Sequence, residues 1–181
     1  MKIKAKGKVK LILSVIICFS FFSSNISADD VQIKITGEIY DAPCKINNDM
    51  SFEIDFGNII VNEIDGNKFK KTKTVEIDCQ NNSGKPYISL KSSTGTLGEN
   101  ILNTMGANTS SLGIALYQGD SVDNSYPLKV NVNMDEIRKG LSHLNVQKSY
   151  FTFTAVPYKH GSSALTTGTF SATVTMSIYY V

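Results

Sequence analysis

The segment GTFSATVTMSIYYV, residues 168–181, alternates with period two along its length. Phe170, Ala172, Val174, Met176, Ile178 and Tyr180 fall on one face, and Thr169, Ser171, Thr173, Thr175 and Ser177 on the other. Successive side chains of an extended chain point to opposite sides, so this spacing predicts a strand with one buried face. The same pattern recurs toward the N-terminus. Val31, Ile33 and Ile35 alternate with Gln32, Lys34 and Thr36; Phe52, Ile54 and Phe56 alternate with Glu53 and Asp55; Val75 and Ile77 lead into Cys79. Tyr87, Ile88 and Leu90 follow a turn signal at 81–84, and further apolar runs occupy 112–117, 128–132 and 151–156. Turn residues bound these runs, among them Asp65-Gly66 and His160-Gly161. Residues 134–139 alone read as helical, for about one turn before Gly140. About seven strands in one chain predict an all-β, immunoglobulin-like sandwich.

The first 28 residues stand apart in composition. Lys2, Lys4, Lys6, Lys8 and Lys10 precede an apolar run over 11–22 and a short polar stretch, the pattern of a secretory signal peptide, with cleavage placed after Ala28. A bilayer-spanning helix needs about 20 apolar residues, so the run is too short for a retained anchor. Cleavage removes five lysines and no acid, leaving 13 basic against 16 acidic side chains. The mature net charge is then about −3 rather than the +2 of the whole chain. Without a basic stripe in the folded part, no nucleic-acid partner is expected.

Cys18 leaves with the signal segment, so Cys44 and Cys79 remain. An even pair in an exported chain predicts one disulfide. In the chain-entropy account a loop of that length stabilises the fold by roughly 3.8 kcal/mol. About 150 residues suffice for one core and not for two.

Nothing in the sequence organises a catalytic site. There is no G-x-S-x-G elbow, and neither His143 nor His160 has a partner at metal-ligand spacing. No enzyme, cofactor, metal or small-molecule substrate is expected. Two features are odd for a closed sandwich. The first alternating segment precedes the disulfide, with Asp41, Ala42 and Pro43 between, and the final segment has no obvious successor beside it. Periodicity leaves open whether residues 31–39 pair within their own domain, as in a self-complete secreted binding module, or within another chain.

Five stretches carry a family resemblance: DVQIKITGEIYDAPCKINN from Asp30, DFGNI from Asp55, GIALYQG from Gly113, FTFTAVPYKHGS from Phe151 and GTFSATVTMSIYYV from Gly168. They resemble the chaperone-usher pilins, and among these the minor tip-adaptor subunits. Pilins of this type carry a glycine fourteen residues from the end and a penultimate tyrosine, which match Gly168 and Tyr180. The resemblance implies an incomplete sandwich completed by a donor strand from another chain. It implies three regions: a cleaved signal peptide at 1–28, a donor-strand extension at 29–42 and a pilin domain at 43–181. Val31, Ile33, Ile35, Gly37 and Ile39 would form the donor strand. Gly168, Phe170, Ala172, Val174, Met176, Ile178, Tyr180 and Val181 would form the strand that binds chaperone and usher and borders the acceptor groove. Implied partners are a periplasmic chaperone, an outer-membrane usher, an adhesin and a tip-fibrillum subunit, in a cell-surface fimbrium reached through the periplasm. Another minor pilin or the major rod subunit is the alternative within the same family.

Overall fold

The computed structural model describes residues 31–39 and 43–181. The signal segment, its cut after Ala28 and residues 29, 30 and 40–42 of the expected donor extension lie outside the described residues. The chain divides into two units, Met1–Glu38 and Ile39–Val181. In the first, residues 31–38 belong to no strand, and Val31, Ile33 and Ile35 are exposed, Ile35 to 91%. The alternation at 31–35 therefore does not mark a paired strand in this chain.

The second unit is all-β. Its strands in chain order are β1 (Lys45–Ile46), β2 (Lys71–Asp78), β3 (Pro86–Lys91), β4 (Thr96–Gly98), β5 (Ile101–Asn103), β6 (Met105–Gly106), β7 (Leu112–Gln118), β8 (Asp135–Glu136), β9 (Lys148–Lys159), β10 (Phe170–Ser171) and β11 (Thr175–Tyr180). The main sheet has the order β1-β2-β9-β7-β5-β4, and every neighbouring pair is antiparallel. The long strand β9 is its spine, because it pairs with β2 along one edge and with β7 along the other. Opposing it is a smaller sheet, β11-β3-β8, and a short β10-β6 pair.

Period-two alternation decides which side chains enter the space between the sheets. Val75, Ile77, Phe151 and Phe153 from the main sheet share one buried cluster with Ile88, Leu90, Ile178 and Tyr180 from the smaller one. Residues between them, such as Tyr150 and Thr175, face solvent. Cys44 and Cys79 form the expected disulfide. Cys44 also donates its backbone N–H to the Ile178 carbonyl at 2.7 Å. One residue thus ties the start of the domain covalently to the end of β2 and by a hydrogen bond to β11 on the opposing sheet.

Several segments fold differently from the sequence expectation. Residues 134–139 are not helical. Asp135 and Glu136 pair with Ile88 and Tyr87 as β8. The fully buried Gln118 amide then fixes the following backbone: its Oε1 accepts N–H bonds from Arg138 (2.8 Å) and Lys139 (3.2 Å), and its Nε2 donates to the Glu136 carbonyl (3.0 Å). A buried amide this well satisfied outweighs the weak propensity of one helical turn.

Residues 128–132 form no strand either. Leu128 and Val130 are buried, but their amides bond to different neighbours, Leu128 to the Leu116 carbonyl and Val130 to that of Glu99, while Asn131 reaches Leu90. The segment crosses from one sheet to the other. Residues 52–56 alternate in burial as expected and still belong to no strand, and the C-terminal segment is two strands interrupted at 172–174.

Serine in place of both Cys44 and Cys79 is expected to lower unfolding stability by roughly 3 to 4 kcal/mol. The comparison is a urea titration against the parent domain, accompanied by a lower periplasmic yield of the variant.

Candidate subunit-docking groove

A cleft of about 1210 Å³ lies between residues 50–64 and residues 165–177. Its floor is the interior of the sandwich itself, with Leu90, Leu102, Ile114, Leu116, Leu128 and Phe153 among the lining residues. One wall carries Phe52, Ile54 and Phe56, and the other carries Phe170, Ala172, Val174 and Met176. The walls approach where the rings of Phe56 and Phe170 stand 6.2 Å apart. Lys73 places its ammonium 5.3 Å from the centroid of the Phe52 ring, so the wall is capped by a cation–π contact.

Both walls carry unpaired backbone. Among the described residues, 51–59 make no backbone–backbone hydrogen bond, although their apolar side chains turn inward as those of a strand would. The other wall is unpaired for a reason that follows from ladder geometry. In an antiparallel pair, alternate residues point their N–H and C=O toward the same neighbour. Val181 exchanges both bonds with Lys85, at 3.0 and 2.9 Å, so the odd-numbered residues of β11 face β3. The even-numbered residues face the opposite edge, where among the described residues only the Ile178 carbonyl finds a partner, Cys44. Met176 therefore turns its backbone donor and acceptor toward the cleft. An apolar trough between two backbone segments without ladder partners has the chemistry of a vacant strand position.

The eight residues expected on the C-terminal site divide into distinct roles. Phe170, Ala172, Val174 and Met176 line the cleft, half-buried. Ile178 and Tyr180 continue the same face into the closed core. Val181 is held through its backbone by Lys85, with its side chain exposed. Gly168 sits at the rim with φ of +154°, and a Cβ there would stand 2.5 Å from the Cβ of Ala107. The glycine is thus explained by close packing inside this chain, which lets β10 lie against β6. Asn108 secures the adjoining loop, donating its amide to the Thr166 carbonyl (2.8 Å) and accepting the Thr166 N–H (2.8 Å).

Tyr180 is nearly fully buried, and among the described residues no hydrogen-bond partner satisfies its hydroxyl. Burial pushes its phenol above the ordinary value, an effect that the Asn145 backbone offsets only in part. Burial raises Tyr117 likewise, against a contact with Asn100.

Of the expected donor residues, Val31, Ile33, Ile35 and Ile39 are exposed, and nothing comes within 4 Å of where a Gly37 Cβ would be. Sequence reasoning took Phe52, Ile54 and Phe56 as core of a strand and did not identify them as a wall of the site. Their alternation was visible; their lack of a ladder partner was not. His143 Nδ1 lies 3.0 Å from the hydroxyl of its neighbour Ser142. Among the described residues there is no cluster of three or more metal-ligating side chains, and no helix long and apolar enough to cross a membrane.

The family model described as "Fimbrial protein" matches residues 33–181. The chain belongs to the fimbrial protein family. Within it, the chain is 38% identical over 151 residues to the minor fimbrial protein PrsF of Escherichia coli, covering 83% of this chain and 88% of the relative. The fimbrial adapter PapF of Escherichia coli matches with the same identity and coverage. A solved structure of the P pilus adaptor subunit PapF superimposes with a TM-score of 0.53 at 35% identity, over 80% of this chain and all of the other. The P pilus rod subunit PapA gives 0.58 at 18% identity, over 77% of this chain and all of the other, which is a likeness of fold. The fimbrial fold is thus the incomplete immunoglobulin-like sandwich, and the cleft lies where its strand is missing.

Two outcomes test the site's internal chemistry. Tyrosines whose folded pKa is raised contribute stability that is complete below the unfolded value, about 10, and is lost as pH rises through the folded values. The fimbrial domain is therefore expected to lose stability above about pH 10, with a shallower alkaline limb in Tyr180→Phe, as read from unfolding midpoints across pH. Gly168→Val forces a side chain onto Ala107 and should destabilise the β10-β6 pair by about 1 to 3 kcal/mol, with increased hydrogen exchange at 105–107.

Proposed function

We propose that this chain is the tip adaptor of a chaperone-usher fimbrium, exported to the periplasm and assembled at the cell surface, with a structural and not a catalytic role. Its likeness to PapF, named a fimbrial adapter, and to PrsF, named a minor fimbrial protein, supports that position. The observation that carries the reading is the apolar cleft edged on both sides by unpaired backbone. An extended segment laid in it satisfies both edges and covers the core at once, which is β-augmentation. In the periplasm a chaperone supplies that strand, with basic residues holding the Val181 carboxylate. At the usher, the extension of the next subunit on the shaft side replaces it.

Residues 29–42 are assigned as this chain's own donor extension and 43–181 as its pilin domain. Val31, Ile33, Ile35 and Ile39 share one apolar face, with Gly37 in register between the last two. Inserted into the pilin domain of the adhesin, four aliphatic side chains at about 1.5 to 3 kcal/mol each supply on the order of 6 to 12 kcal/mol. Ordering a mobile strand offsets a large part of this, so the joint depends on slow dissociation.

Ile35→Asp is the direct test. A carboxylate without a partner in an apolar pocket costs well over about 1.4 kcal/mol, so the joined adhesin–adaptor product should fall more than tenfold while chaperone capture is unchanged. Joining at the parental level, measured by co-purification of the two subunits, would contradict the donor assignment.

A further inference from the structure

We propose that the tip of the hairpin leading into β9, residues 142–147, together with Tyr150 forms a second contact with the subunit that receives this chain's donor segment. The inference rests on the donor assignment above and adds a surface outside the groove.

The placement follows from covalent reach. Five residue steps separate Ile39 from Cys44, and an extended chain spans at most about 3.3 to 3.6 Å per step. The end of the inserted strand therefore lies within about 18 Å of Cys44, and the receiving subunit must stand at this end of the domain. Cys44 leads to the hairpin through two short links. Its Cα is 4.3 Å from that of Cys79, and the Cys79 N–H donates to the Gln147 carbonyl at 2.8 Å.

The hairpin exposes apolar side chains there, set among the polar Ser142, His143, Asn145 and Gln147, which are exposed as well. Leu144 is 59% exposed, Val146 39% and Tyr150 51%. The backbone that carries them is firmly held. Gln147 donates its side-chain amide to Asp78 at 3.0 Å, the Ser142 N–H donates to the Tyr150 carbonyl at 2.9 Å, and the buried Ser149 hydroxyl donates to the His143 carbonyl at 2.9 Å. Scattered exposed leucines need no explanation, but three exposed apolar side chains on a hydrogen-bonded hairpin at the point where a partner is tethered are suited to docking. Tethering raises the local concentration, so even a small patch engages once the strand is inserted. The occupant has stated chemistry: the apolar border of a strand-accepting groove, such as this chain itself shows in the exposed Met50 beside its own cleft.

The experiment compares the chaperone-bound chain before and after joining to the adhesin's pilin domain, so that this chain's own groove is filled identically in both. Hydroxyl-radical labelling of Leu144, Val146 and Tyr150 is read by mass spectrometry, with labelling of residues 31–39 as the report on the joint. On joining, labelling at the three sites should fall by at least about threefold, as for half-exposed side chains entering an interface. In a Leu144→Ser, Val146→Ser variant, residues 31–39 should still become protected while Tyr150 stays as accessible as before joining. Protection of 31–39 with no change at 142–150 would overturn this inference and leave the adaptor reading standing. Failure of the parent chain to join at all would overturn both.

Discussion

Hydrogen-bond satisfaction along β11 governs the behaviour of this domain. One edge of the strand is matched to β3 residue by residue, and among the described residues the other is open save for the bond from Cys44 to Ile178. Facing it across the cleft, residues 51–59 are equally without a ladder partner among the described residues, the Gly57 N–H turning back to the Asp55 side chain at 2.7 Å. Open to water, these backbone groups are solvated and cost little; the apolar floor between them is what water serves poorly. Only an extended segment with a side chain at every second position repairs both defects together. A helix would cover the floor and leave the edges unpaired, and a small ligand would do neither.

The domain tolerates this gap because its stability is concentrated elsewhere. Strand β9 pairs on both edges, and Val75, Ile77, Phe151, Ile178 and Tyr180 are closed off from solvent without help from a further strand. The open part of the core begins only where the C-terminal segment leaves its ladder, at 172–174, and where half-buried residues replace buried ones. Affinity for an incoming strand and survival of the fold are therefore located at different ends of the same alternating sequence.

This division also marks what the sequence could disclose. Alternation reports which side chains turn inward, and it identified β2, β3 and β11, whereas β7 and the centre of β9, buried on both faces, showed as continuous apolar runs. It reports nothing about pairing, so 52–56 and 170–176, which lack ladders along much of their length, looked like ordinary strands. The role expected for 168–181 came from family resemblance, carried by a glycine and a tyrosine at fixed places. Strands β4, β5, β6 and β8 are two or three residues long, too short to display a period. The helix expected at 134–139 failed because Gln118, distant in sequence, supplies the bonds that hold that backbone. The wall at Phe52, Ile54 and Phe56 needed the three-dimensional fact of an absent neighbour.

Cys44 lies where these themes meet. It follows the proposed donor extension directly, so tension on an inserted strand reaches the domain through Pro43 and Cys44. A hydrogen bond to Ile178 alone would place that load on β11, the strand whose outer edge must stay available. The disulfide to Cys79 instead carries it covalently into β2, which is paired to β9 along its length. A joint that lasts by slow dissociation gains from this route, because pulling on one junction does not loosen the groove that forms the next. In the proposed joint the disulfide thus adds a mechanical connection between successive subunits to its stabilising effect on the fold.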